Sequence, residues 1–129
     1  MEYSINIYPE ESLIIESVSG VITIEDFVHK TQELFANPLY NPKYCGLVDM
    51  RGATSQLSKV ELYGFANFLN QSEQFGKARW AALADDPIVV AFGQVLQHRI
   101  IDENLIGIFS KLESAAEFIQ KPALLKICE

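Results

Sequence analysis

The chain opens on alternation. "YSINIY" sets Tyr3, Ile5 and Ile7 on one side and Ser4, Asn6 and Tyr8 on the other, the period of two that marks a half-buried strand. "PEES" turns the chain, and "LIIESV", Leu13 to Val18, predicts a second strand. So short a connection makes the pair an antiparallel hairpin. After Gly20 the period lengthens: Ile24, Phe27, Val28, Thr31, Leu34 and Phe35 share one helical face. Thr23 with Asp26 resembles a capping box with Asp in place of Glu, and Asn37 and Pro38 stop the helix.

"YCGLVDM", Tyr44 to Met50, is apolar on both faces until Asp49, the pattern of a central strand covered on both sides. Ser58 and Glu61 form a full capping box for a second helix whose buried face carries Leu62, Phe65, Ala66 and Leu69. Arg79 to Ala84 predicts a fourth strand, and Asp86 caps a third helix with Pro87 at its first position. Leu105 to Phe109 predicts a fifth strand, and Ser110 with Glu113 caps a short last helix ending near Gln120. The order ββαβαβαβα has no linker or repeat, which predicts one α/β domain over residues 1–129. Its five-stranded mixed sheet has an antiparallel N-terminal hairpin strand, parallel remaining strands with right-handed crossovers, and about four helices.

Composition narrows the function more than the fold. Ten basic against 17 acidic residues give a net charge of -7, and the basic residues are scattered, so a nucleic-acid partner is not expected. The N-terminus has neither the basic nor the apolar region of a signal peptide, and no apolar run reaches the roughly 18 residues of a membrane span. A cytoplasmic protein is expected. Cys45 and Cys128 are far apart with no metal-type spacing, so neither a disulfide framework, a metal site nor a cofactor is expected.

Candidate chemistry concentrates in two places. Asp49 and Arg51 flank one residue at the expected C-terminal edge of a central strand, where open α/β sheets place ligands. Arg51 can hold an anion there, oriented by Asp49. Thr54, Ser55 and Ser58 supply hydroxyls in the loop that follows. The second place is the third helix, "PIVVAFGQVLQHRII". Ile88, Phe92, Val95, Leu96 and Ile100 suffice for its core stripe, so Val89, Val90 and Ile101 extend apolar surface around it, toward a second copy of the chain, another protein or a small apolar ligand. Gly93 in mid-helix implies a close approach, either by a partner or by the helix's own sheet. Tyr63 and Phe68, off the main stripe of the second helix, are expected to line the same groove. Asp85 with Asp86 and the separated His29 and His98 make no convincing acid–base or nucleophilic set, so no catalytic residue is assigned.

A hairpin followed by repeating βα units at this length resembles the STAS fold of bacterial anti-sigma-factor antagonists and sulfate-transporter cytoplasmic tails. "SLIIESVSGVITIEDF", "NPLYNPKYCGLVDMRGAT" and "ALADDPIVVAFGQVLQ" resemble more closely a branch of small stand-alone bacterial STAS-like proteins without an assigned activity. The resemblance implies a non-enzymatic binding or regulatory module. It also points to a phosphorylation switch, since regulated members follow the aspartate matching Asp49 with a Ser-Ser-Gly turn. Here Met50-Arg51-Gly52 stands in that place, which leaves Thr54, Ser55 and Ser58 as the nearest phosphoacceptors. A carrier or enzyme for a small acid or lipid, with its anion at Arg51, is the remaining alternative.

Overall fold

A computed structural model describes residues 1–100, 102 and 105–128. Strand β1 (Glu2–Tyr8) leads through a short 3-10 turn into β2 (Leu13–Ile22). There follow α1 (Ile24–Ala36), β3 (Cys45–Ser55), α2 (Lys59–Gln71), β4 (Trp80–Leu83), α3 (Pro87–Arg99), β5 (Ile106–Phe109), α4 (Leu112–Ile119) and α5 (Ala123–Ile127). One sheet takes all five strands in the order β1-β2-β3-β4-β5. β1 runs antiparallel to β2, and every later pairing is parallel. The α/β class and the mixed sheet are those the hydrophobic pattern predicts.

Pleating divides the sheet into two faces. Leu13, Ile15, Leu47, Ala81 and Leu83 face α4 and α5, where Ala115, Ala116, Ile119 and Leu124 complete a closed apolar cluster. Val18, Met50 and Ala82 face the opposite way, beneath the three longer helices, with Val89, Leu62 and Phe65 packed above that side. Caps set where the helices begin. Thr23 accepts from the Asp26 amide at 3.3 Å, Ser58 and Glu61 exchange both capping-box bonds, and Asp86 accepts from Ile88 and Val89.

Four expectations are corrected. β2 and β3 both run past their predicted ends, because Ser19 through Ile22 pair with Gly52 through Ser55. A bulge separates this stretch from the earlier register: Met50 and Arg51 together lie opposite Val18. The expected Asp49-to-Ser58 loop is therefore mostly strand. Ser110 does not cap α4; the cap position is Lys111, without a side-chain bond. α5 was not foreseen, and its five residues are too few for a legible period. On α3 the core stripe is rotated, with Ile88 53% exposed and Val89 3% exposed. Ile101 lies outside the described residues.

Candidate functional site

The residues singled out from the sequence fall on opposite faces of the sheet. Asp49 and Arg51 border an open groove of about 400 Å³ on the face that α4 and α5 cover only in part, alongside Ser4, Ser17 and Ser19. Arg51 donates to Asp49 through Nε at 3.0 Å and Nη2 at 2.8 Å, and its backbone amide adds a third bond at 3.1 Å. Partial burial pushes the Asp49 carboxyl up, but these hydrogen bonds and the guanidinium charge outweigh it and hold the carboxyl below its ordinary value. In turn, the bond to Asp49 raises Arg51. The guanidinium thus spends its bidentate fork on a carboxylate of its own strand, leaving little of it to grip an anion. Cys128 lies close enough to feel both charges; burial, then Asp49, pushes its thiol up, which disfavours the nucleophilic thiolate.

The hydroxyls are distributed by the strand extension. Thr54 is exposed near the end of β3. Ser55 Oγ accepts from the Leu57 amide at 3.1 Å, and Ser58 Oγ from Glu61 at 3.1 Å. The last two shape the turn into α2, a structural use of the same atoms a kinase would modify.

The other face holds the apolar site. Between the sheet and α1, α2 and α3 lies a cavity of about 100 Å³ walled by Phe27, Val48, Phe65, Leu96 and Ile108, among others. A smaller lobe of about 50 Å³ adjoins it toward Val89 and Phe92 and shares Phe27, Met50, Phe65, Gly93 and Leu96 with it. Phe92 and Gly93 line this lobe, and Val89 reaches it from the core side instead of from an outer groove. Val90 packs against the cluster around Val18 and Met50. Gly93 is explained by its own sheet: a Cβ there would lie 2.9 Å from Ile108 Cγ1. Tyr63 does not join the cavity; the Arg99 guanidinium sits 3.7 Å from its ring centroid and ties the outer edges of α2 and α3 together. Phe68 stacks on Phe65 at 6.0 Å.

Two wall residues went unnoticed in the sequence. Glu16 on β2 and Lys30 on α1 are 1% and 3% exposed, joined by a bond from Lys30 Nζ to Glu16 Oε1 of 3.0 Å. The ammonium also lies 4.7 Å over the Phe27 ring. Glu16 Oε2 is buried and, among the described residues, receives no hydrogen bond. Thr31, the remaining polar wall residue, donates its hydroxyl to the Phe27 carbonyl at 3.0 Å. The signal was present: Glu16 is in phase with Ile14 and Val18, and Lys30 falls between Phe27 and Leu34 on the apolar side of its helix. Opposite charges at core-phase positions on neighbouring elements are a readable sign of a buried pair.

Comparison of the chain with protein-family models, curated proteins and solved structures finds no match.

Proposed function

We propose that this protein is a non-enzymatic, STAS-like binding module whose ligand is a small apolar molecule held between the sheet and helices α1, α2 and α3. The cavity carries the reading. Its walls are almost wholly apolar and come from four strands and three helices, which is the construction of a ligand pocket. At about 100 Å³ it is below the roughly 150 Å³ in which a dry apolar cavity holds one benzene ring, so its occupant is no larger than a single ring. No competing chemistry is assembled at Asp49 and Arg51, whose charges are turned on each other. Regulation follows from the position of the pocket, because α1, α2 and α3 all rest on it, so an occupant favours whichever helix arrangement it contacts best.

Fluorobenzene tests the cavity. Titrated into isotopically labelled protein, it is expected to shift the amide resonances of Phe65, Phe92, Gly93 and Leu96 in a saturable way. Ala82→Leu, which grows a wall side chain into the cavity, is expected to abolish those shifts while the rest of the spectrum stays folded. Unmoved lining resonances at the solubility limit of the probe would overturn the reading.

A further inference from the structure

A buried carboxylate oxygen without a donor, on a residue of the cavity wall, defines the head of the ligand, an inference that rests on the cavity reading above. Glu16 lines the cavity; its Oε2 is buried and receives no hydrogen bond among the described residues, while its twin oxygen is held by Lys30. A buried carboxylate oxygen without a donor costs its full desolvation, so a ligand that brings a donor to this point gains what the protein leaves open. Charge then selects the donor. Glu16 and Lys30 form a neutral pair; an ammonium ligand would leave one uncompensated positive charge in an apolar space, and a carboxylate ligand one negative charge beside Glu16. A hydroxyl adds no charge, donates to Glu16, and has lone pairs for the Lys30 ammonium, whose three donors include the one already used.

We infer that the ligand is a small neutral alcohol or phenol, its hydroxyl donating to Glu16 Oε2 and its hydrocarbon body lying against Phe27, Phe65, Leu96 and Ile108. Volume limits the body to about one six-membered ring. A carboxylic acid at Arg51 has no place in this arrangement, since that residue lies on the opposite face of the sheet.

Phenol and fluorobenzene separate the head from the body, because fluorine matches hydroxyl in size and cannot donate. Dissociation constants for both are measured with the wild-type protein and with the double variant Glu16→Leu, Lys30→Leu, which removes both charges together and leaves no orphan. The ratio of phenol to fluorobenzene affinity is expected to fall at least tenfold in the double variant. In the wild-type protein alone, phenol is expected to move the Glu16 side-chain carboxyl carbon resonance and fluorobenzene to leave it in place, a readout that stands even if the double variant fails to fold. If both probes bind the cavity with an unchanged ratio, or phenol binds without moving that resonance, the hydroxyl assignment is overturned and the cavity survives. If neither probe binds, the cavity reading falls and takes this inference with it.

Discussion

Partial burial by itself raises the pKa of a carboxyl group, and Asp49 is partly buried; the neighbouring Arg51 reverses the sign. A carboxyl lowered in the folded state stabilises fully above its unfolded value of about 3.9 and loses that contribution as pH falls through the folded value. Arg51→Met removes the side-chain bonds and the charge while the burial stays. The midpoint of Asp49, followed by its carboxyl carbon resonance, is therefore expected to rise in the variant, and an unmoved midpoint would show that the pair seen at 2.8 Å does not govern this group. The effect on stability at neutral pH is expected to be small, about 0.5 kcal/mol, because both side chains reach solvent. Asp49 and Arg51 were conspicuous in the sequence because they interrupt an apolar run. That they bond to each other depends on the folded strand, whose bulge at Met50 and Arg51 leaves the Arg51 guanidinium and backbone amide within reach of the Asp49 carboxylate.

Helix α3 shows how one residue sets the fit of an element. Glycine in a helix interior costs about 1 kcal/mol against alanine, yet at Gly93 the helix rests so closely on β5 that a methyl group would press into Ile108. Gly64 on α2 is the control, since a Cβ there meets nothing within 4 Å. Gly64→Ala is expected to stabilise the protein by up to about 1 kcal/mol. Gly93→Ala is expected to destabilise it by about 1 to 3 kcal/mol through overpacking, and by less in an Ile108→Ala background, where Cγ1 is gone. Urea denaturation of the wild type, the three single variants and the double variant measures both, and equal gains at the two glycines would overturn the packing argument. The start of each longer helix was legible because Thr23, Ser58 and Asp86 cap their own neighbours, a local interaction. Its rotation was not, since α3 is apolar on several sides and only contact with the sheet decides that Val89 turns inward and Ile88 outward.

At the scale of the whole molecule, the two faces of the sheet are closed in different ways. Three long helices cover one face and leave a cavity; the short α4 and α5 cover part of the other, on the fully buried Leu124 and Ile119. α5 has only five residues, too short to be stable as a helix on its own, so its place depends on the docking of Leu124 against the strands. Leu124→Ala is expected to cost about 2 to 5 kcal/mol, as much as a substitution in the middle of the sheet. Loss of amide protection at Leu13, Leu47 and Leu83 in hydrogen exchange locates the damage. A cost below 1 kcal/mol would mean that α5 is an appendage. Among the described residues no helix is long and apolar enough to cross a membrane.

By itself the sequence determined the five strands, the four longer helices, their order and the mixed sheet. Strand alternation, helix period and capping pairs all act over a few residues, and right-handed crossovers leave little freedom in joining βα units. Tertiary structure decided what no local pattern encodes. The pairing of Ser19 through Ile22 with Gly52 through Ser55 turned an expected loop into strand, because a ladder needs a partner some thirty residues away. It also brought Glu16 and Lys30 together at 3.0 Å beside an apolar cavity. A charge is buried or solvated according to what packs over it, and here that is a helix and a strand whose approach only the folded chain defines.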